Sequence, residues 1–354
     1  MIRRGALIGA LALALPGLPL LWWIWPMAAL DAFFAPAMCH ALPLRDAETG
    51  REIVGIEDIA RLPDGRFLLS AHDRLDEAGP DGGLYVFDPE ELADEAPFVP
   101  RLTPALPADG LTGGLRPHGI AAHPELPLVA VINRGRDGNV RLLLANYDAM
   151  RQRLQISVEG AADPTLCSAN DLVFRDLTLW ITLDRGDCSP ETLSELFGID
   201  RSGLTVTLPV GSEGAEAALE ASGLFFPNGV AIVPGFGPAV AETRGFRIRF
   251  LEAEAAPIPL GGGPDNLSLQ PGDDPALIAA LHPSLPRLGL YRYGLTERAP
   301  SRIVRISLSD GSVQILFNDP EGQVFPGATI GHFDGERLIA GSVRAPGLLV
   351  CGGL

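Results

Sequence analysis

Short apolar stretches separated by turn residues run along most of the chain, and six of them begin with a short, mostly polar pair. Each pair is followed by an apolar residue, a turn and a second apolar stretch, which predicts two adjacent antiparallel strands. Successive pairs start 37 to 63 residues apart, about 54 on average, close to the length of a four-stranded propeller blade. The pairs are Glu57-Asp58, His118-Gly119, Asn170-Asp171, Asn228-Gly229, Asp265-Asn266 and Ala328-Thr329. The pattern predicts an all-β, six-bladed β-propeller over residues 31–354, with helix as a minor component.

The polar pairs are also candidates for a metal site. The innermost strand of each blade begins at the central tunnel, so equivalent residues from successive blades converge there. The convergent oxygen donors are Glu57, Asn170, Asn228, Asp265 and Asn266. An all-oxygen set suits Ca²⁺ and disfavours zinc. Strand alternation would turn the adjacent Asp58 and Asp171 away from the tunnel mouth, where they could bind a second, deeper ion. The alternative for any single pair is a turn or strand cap, because Asn and Asp satisfy local backbone donors.

The net charge of the chain restricts its binding partners, and its N-terminal segment predicts its cellular location. The formal net charge of −17 and pI of about 4.7 disfavour nucleic acid as a partner. Residues 5–30 carry no charge and follow Arg3 and Arg4, which predicts a membrane anchor over residues 1–30 with the propeller outside the cytoplasm. A cleaved signal peptide is the alternative, because three prolines interrupt this stretch.

Four cysteines fit an oxidising, extracytoplasmic compartment. A bridge between Cys39 and Cys351 would join the two ends of the propeller. Cys167 and Cys188 could form a second, local bridge, and the alternative for them is two buried thiols. The residues alone leave the pairing open.

These motifs together resemble the paraoxonase/arylesterase family of six-bladed calcium propellers, which is related more distantly to gluconolactonases and strictosidine synthase. The resemblance covers nearly the whole chain, and the joint order of the motifs is more specific than any one of them. It rests on Glu57-Asp58, Pro117-His118-Gly119-Ile120, Asn170-Asp171, Asn228-Gly229, Asp265-Asn266 and His282-Pro283.

The resemblance implies two calcium ions and a disulfide that closes the ring. The catalytic ion would be held by the residues matching Glu57, Asn170, Asn228, Asp265 and Asn266. A structural ion would be held by those matching Asp58, Asp171 and the backbone carbonyl of Ile120. The disulfide would match Cys39 and Cys351.

The resemblance also implies that His118 acts as the base that activates water. The family's second histidine, which supports the base, is replaced here by Arg134, a cation that cannot relay a proton and would lower the pKa of His118. Asp184 is a further catalytic candidate, and its alternative is a surface ion pair with Arg185. His282 is expected to line the substrate pocket together with Arg134. His123 is expected on a turn surface, and Ala328-Thr329 is expected to be chemically silent.

The sequence therefore predicts a calcium-dependent hydrolase of lactones or aryl esters, in which Ca²⁺ polarises the carbonyl and His118 activates water. One alternative is a non-catalytic, calcium-stabilised propeller that binds a ligand or protein. Another is a sugar-lactone hydrolase of the gluconolactonase type. Serine-hydrolase, zinc-protease and phosphate-loop motifs are absent from the sequence.

Overall fold

The structure is a computed structural model. It describes residues 39–352 except 77–78, 92–98, 108–109, 162, 187–201, 211–216, 271 and 273. Twenty-five strands are described in chain order: β1 (His40–Leu42), β2 (Arg45–Asp46), β3 (Ile56–Arg61), β4 (Phe67–Ala71), β5 (Gly83–Phe87), β6 (Arg101–Leu102), β7 (Pro117–Ala122), β8 (Leu128–Arg134), β9 (Val140–Asp148), β10 (Arg153–Glu159), β11 (Ala169–Arg175), β12 (Thr178–Leu183), β13 (Gly203–Pro209), β14 (Ala218–Leu224), β15 (Pro227–Val233), β16 (Gly237–Glu242), β17 (Arg247–Phe250), β18 (Ile258–Pro259), β19 (Gly263–Gln270), β20 (Ala276–His282), β21 (Ser301–Ser307), β22 (Val313–Asp319), β23 (Ala328–Phe333), β24 (Arg337–Ser342) and β25 (Leu348–Gly352).

The strands form six antiparallel blades. Blade 1 contains β3, β4 and β5, blade 2 contains β7 to β10, blade 3 contains β11 to β14, blade 4 contains β15 to β18, and blade 5 contains β19 to β22. Blade 6 contains β23, β24 and β25 with β1 as its outer strand, and β2 pairs separately with β6 in a parallel ladder. The prediction of an all-β, six-bladed propeller is confirmed.

The ring closes through both ends of the described chain. Strand β1 pairs with β25, and the disulfide Cys39–Cys351 joins residues 312 positions apart, as predicted. Cys167 is also in a disulfide, whereas its predicted partner Cys188 lies outside the described residues. The predicted N-terminal helix over residues 1–30 lies outside them too. No helix of the described part is long and apolar enough to span a membrane.

Apolar clusters between neighbouring blades hold the ring together. Between blades 1 and 6, for example, Leu69 of β4 and Ile339 of β24 share one buried cluster. Because each blade is covered on both faces, its middle strands are buried throughout, as in β4 and β20. This explains why these strands appear in the sequence as continuous apolar runs and not as alternating ones.

One α-helix, α1 (Leu285–Arg292), leaves blade 5 and lies beside the entrance to the candidate site. The Ser284 side chain caps it by accepting a hydrogen bond from the Arg287 amide, and Leu288 and Tyr291 are buried. Short 3₁₀ turns occur at Pro89–Glu91, Pro164–Leu166 and Thr243–Gly245. Helix is thus a minor component of the described chain.

Candidate metal centre

Each innermost strand bulges at its polar pair. In blade 1, Ile56 faces Ala71 and Asp58 faces Ser70, so Glu57 is an extra residue without a cross-strand partner. A register shift also occurs at the pairs of the other five blades. A bulge re-aims side chains that strict alternation would send to opposite faces. It allows successive residues to face the axis at two depths, as Glu57 and Asp58 do.

Two cavities on the axis separate these depths. The upper one, called here the metal cavity, has a volume of about 50 Å³ and is lined by Glu57, His118, Asn170, Asn228 and Asp265, among others. The lower one, the central tunnel, has a volume of about 520 Å³. Its lining includes Asp58, Ile120 and Asp171, together with the mainly apolar residues that continue the inner strands. Four of the five predicted catalytic ligands therefore line the metal cavity, and the three predicted structural ligands line the central tunnel.

Glycine at two of the pairs allows neighbouring blades to approach closely. A Cβ atom on Gly119 would lie 2.4 Å from the carbonyl oxygen of Asn170, and one on Gly229 would lie 2.6 Å from the Cα atom of Asn266. Neither distance is possible without a backbone shift, so these glycines set the spacing between the polar pairs of adjacent blades.

At least one side chain bridges each of the six blade junctions by donating to a backbone carbonyl near a polar pair. The bonds are Ser70 to His118 (2.7 Å), Arg134 to Ala169 (2.7 Å), Thr182 to Asn228 (2.5 Å), Thr243 to Pro264 (2.6 Å), Ser268 to Gly331 (2.6 Å) and Thr329 to Glu57 (2.8 Å). The expectation that Ala328-Thr329 is chemically silent is therefore wrong, because Thr329 anchors the backbone of Glu57. Sequence reasoning missed the hydroxyl donors, although a lone Ser or Thr inside an apolar strand is a visible signal.

Two oxygen atoms of the predicted upper ligand set lack hydrogen-bond donors. Asn228 Oδ1 and Asn266 Oδ1 are buried and accept no hydrogen bond from the described residues, whereas Glu57 Oε2 contacts Arg74 and lies 2.7 Å from His118 Nδ1. Leaving a buried acceptor unsatisfied costs about 1–3 kcal/mol, which a coordinated cation would remove. Within the described chain, no three His, Cys, Asp or Glu side chains form a metal cluster, so any site here depends on the carboxamides. This donor set fits Ca²⁺.

Two of the carboxamides are oriented by hydrogen bonds from their nitrogen atoms, which leaves their oxygen atoms available to bind a cation. Asn266 Nδ2 donates to the carbonyl of Glu57 at 3.0 Å, and Asn170 Nδ2 donates to Asp184 Oδ1 at 2.5 Å. Since the nitrogen of each amide is already engaged, its oxygen is the free end. Asp184 thus lies beside a predicted ligand, and burial raises its pKa although Arg134, 3.9 Å away, opposes that effect.

The two carboxylates at the head of the central tunnel each join neighbouring blades. Asp58 accepts from the amides of Ile59 (2.8 Å) and Ile120 (2.7 Å), and Asp171 accepts from those of Leu172 (2.7 Å) and Val230 (2.8 Å). Burial raises the pKa of Asp58 to about 7, with a contribution from Asp265, and burial and Asp58 raise that of Asp171 well above its usual range. A cation between them would offset this buried negative charge.

His118 lies between the metal cavity and a neighbouring cavity that contains several arginines. Its Nδ1 atom is 2.7 Å from Glu57 Oε2 and 2.6 Å from a nitrogen of Arg74, while its Nε2 atom is buried without a partner among the described residues. Burial and the charges of Arg134, Arg74 and Arg292 lower the pKa of His118 well below its usual range. The predicted effect of Arg134 has the correct sign, and burial is the larger cause.

The other two histidines of interest differ from each other. His282 is buried in the metal cavity, and its Nε2 lies 2.5 Å from Asp265 Oδ2, where it orients a predicted ligand. His123 was expected on a turn surface, which is wrong. It is buried, packs against the ring of Phe174, and accepts hydrogen bonds from the amides of Glu125 and Leu126.

Two arginines at the site were not found from sequence. Arg74, in the turn after β4, forms an ion pair with Glu57, and Arg292 is the last residue of α1. Both line a cavity of about 470 Å³ beside the metal cavity, together with Arg134 and His118. Neither residue belongs to one of the six polar pairs, so the prediction of the site did not include them.

Comparison with known proteins supports the fold. No protein-family model matches the sequence, and no curated protein sequence is similar to it at a significant level. The structure is similar to that of a putative gluconolactonase, with a TM-score of 0.50 and 14% identity over 90% of this chain and 94% of that one. It also matches a calcium-binding protein, regucalcin, from Agrobacterium tumefaciens (TM-score 0.48, 13% identity, 91% and 96% covered).

A third match is a putative oxidoreductase (glucose dehydrogenase) from Thermus thermophilus, with a TM-score of 0.45 and 17% identity over 86% of this chain and 99% of that one. At such identities the likeness shows the propeller fold alone. The similarity to paraoxonases stays a prediction from the sequence motifs.

Proposed function

We propose that this chain is a calcium-dependent hydrolase that acts on lactones. The observation that carries the proposal is the pair of buried, unsatisfied carboxamide oxygens on Asn228 and Asn266, the first of which lines the same cavity as Glu57 and a histidine whose Nε2 has no partner in the described chain. A propeller structure named a putative gluconolactonase supports the lactone over the aryl ester as substrate. Aryl esters remain a secondary substrate class within the proposal.

The residues of the chain have separate tasks in this proposal. Glu57, Asn170, Asn228, Asp265 and Asn266 would hold Ca²⁺ in the metal cavity, and Asp58, Asp171 and the Ile120 carbonyl would hold a second ion. Bound calcium polarises a carbonyl group and stabilises developing negative charge on its oxygen. His118 stays neutral near pH 7 because its pKa is lowered, so its Nε2 can accept a proton from water. The carboxylate of Glu57 lies close enough to Nδ1 to orient the ring.

The proposal extends to location and domain limits. The disulfide Cys39–Cys351 supports an oxidising, extracytoplasmic compartment. Residues 1–30 would then be a signal anchor or signal peptide, and residues 31–354 the catalytic propeller. Protease accessibility of the propeller in intact cells, compared with cells whose membrane has been permeabilised, tests this location.

A second candidate function is a non-catalytic propeller that binds a ligand. The observation in its favour is the ion pair between Arg74 and Glu57, because a guanidinium neutralises this carboxylate without a metal. Comparison of two variants separates the candidates. In an enzyme, Asn228→Ala and His118→Gln both lose turnover of lactones, whereas in a binding protein only Asn228→Ala has an effect, on metal content or stability.

The decisive experiment combines metal analysis with a substrate panel. We expect calcium to copurify or to bind in calorimetry, and at least one lactone to be hydrolysed at saturating calcium. Bound calcium with no hydrolysis across lactones and aryl esters would reject the enzyme and keep the metal centre.

A further inference from the structure

We propose that Arg74, Arg134 and Arg292 form an anion-binding subsite next to the metal centre, and that the substrate carries a carboxylate or phosphate group beside the bond that is hydrolysed. The substrate part of this inference rests on the proposed hydrolase function. The binding part does not, and it can be tested without turnover.

The concentration of positive charge is unusual for this chain. Its formal net charge is −17, yet these three guanidinium groups, with Arg116 as a fourth, line one cavity of about 470 Å³. The remaining lining includes His72, Leu75, Pro117 and Tyr293, and no described carboxylate belongs to it. A concave site lined by one sign of charge attracts ligands of the opposite sign.

These arginines have N–H donors for which the described residues provide no hydrogen-bond acceptor. Arg74 Nη1 and Arg134 Nε are buried and have no hydrogen-bond acceptor among the described residues. Arg292 is exposed at the end of α1, and no described carboxylate or carbonyl pairs with it. Guanidinium groups bind carboxylates and phosphates through paired N–H donors, so an oxyanion in this cavity would satisfy donors that are otherwise unpaired.

The charge balance leads to the same conclusion. The carboxylates in contact with the metal cavity are Glu57, Asp265 and Asp184, and the first two belong to the predicted metal ligands. A bound divalent cation and the three guanidinium groups of the subsite would carry five positive charges. The three carboxylates would neutralise three of them, which leaves a net charge of +2. A substrate anion would offset part of this excess at the buried, unpaired nitrogens of Arg74 and Arg134.

The position of the subsite relates it to the reaction. His118, Arg134 and Arg292 line both the arginine cavity and the metal cavity, so the two spaces share a wall. A ligand whose anionic group contacts Arg292 would therefore place its neighbouring atoms beside His118. This arrangement selects small, charged lactones over long lipophilic esters, whose uncharged tails could not satisfy the arginines.

Binding of simple anions tests the subsite directly. Inorganic phosphate and succinate are titrated into the full-length, calcium-loaded protein by calorimetry, for wild type, Arg292→Gln and Arg134→Gln. We expect Kd to rise about tenfold or more in each variant, the loss of one charge-assisted hydrogen bond. Arg292→Lys should retain part of the affinity. The control is Arg151→Gln, at an exposed arginine paired with Asp148 away from these cavities, which should bind as wild type does. Equal Kd values for Arg292→Gln, Arg151→Gln and wild type would overturn the subsite.

Matched substrates test the link to catalysis. Each lactone ring is assayed with and without a carboxylate or phosphate substituent, and the two substituents identify which anion is preferred. We expect Arg292→Gln to raise KM for the charged member only. Anion binding without any turnover would support the subsite and contradict the proposed hydrolase function. Hydrolysis of neutral lactones without anion binding would support the hydrolase function and contradict the subsite. Because Arg292 is exposed, its replacement should leave the melting temperature unchanged, which separates loss of binding from loss of folding.

Discussion

Replacing Asn228 by leucine should stabilise the calcium-free protein while abolishing its stabilisation by calcium. The side-chain oxygen of Asn228 is buried and unsatisfied among the described residues, and Asn228 is only 7% exposed. Leucine has the same number of side-chain heavy atoms and removes the unsatisfied acceptor. The expected gain is about 1–3 kcal/mol in the absence of metal. Unfolding entropy of about 2.1 cal/mol/K per residue converts this to a rise of roughly 1–4 °C in melting temperature.

The matched control is Asn133→Leu, at a fully buried asparagine whose two ends are both bonded. Its Oδ1 accepts from the Arg116 amide at 2.7 Å and its Nδ2 donates to the Gly114 carbonyl at 2.8 Å. This change should cost about 2–4 kcal/mol, because both partners lose their bonds. The two variants should therefore shift stability in opposite directions.

The assay is urea unfolding followed by tryptophan fluorescence, in chelator and in excess calcium. Wild type should gain about 2.7 kcal/mol when calcium is at 100 times its Kd, and Asn228→Leu should gain far less. Destabilisation of calcium-free Asn228→Leu comparable to that of Asn133→Leu would refute the view that Asn228 is held in place as a metal ligand at the expense of stability.

Three further changes test the ring, the blade spacing and one half-buried histidine. Loss of the Cys39–Cys351 bridge, in the double serine variant, should lower the free energy of unfolding by up to about 5 kcal/mol because it closes a very long loop, and unchanged stability under reduction would contradict this. Gly229→Ala should weaken calcium binding and lower the free energy of unfolding by about 1–3 kcal/mol, since its Cβ would lie 2.6 Å from the carbonyl oxygen of Asp265. Wild-type calcium affinity in calorimetry would argue against a role of Gly229 in blade spacing. Burial lowers the pKa of His332 to about 4, from 6.5 in the unfolded chain. The unfolded state therefore binds the proton first, so wild type should lose about 3 kcal/mol relative to His332→Gln between pH 6.5 and pH 4; parallel pH profiles of the two proteins would exclude this.

Much of the candidate site could be predicted because its oxygen donors belong to a repeat. Glu57, Asn170, Asn228 and Asp265 occur at equivalent positions of different blades, and a closed ring necessarily brings equivalent positions together. The structure places all four around one cavity. The sequence also predicted that Asp58 and Asp171 lie deeper on the axis than the predicted ligands beside them. The cause is a β-bulge in each strand, and not the simple alternation of side chains that the prediction assumed.

Residues outside the repeat could not be found in this way. Arg74 reaches Glu57 from a turn, and Arg292 reaches the site from the end of a short helix. Their positions depend on the course of the connections between the second and third strands of blades 1 and 5. His123 was misplaced for a related reason. A histidine before a proline is typical of an exposed turn, but packing against Phe174 from the next blade buries it.

The sequence alone determined the number of blades, the disulfide partners implied by the family resemblance, and the oxygen-rich character of the axis. These follow from periodic patterns, which a ring converts into convergence. Only the tertiary structure decided which buried carboxamide oxygens are left unsatisfied, which hydroxyls bridge the blades, and that Arg74 and Arg292 lie with Arg134 beside His118. Those properties depend on contacts between blades and connecting segments, where distances of a few ångström are set by packing across the whole ring and by no local pattern in the chain.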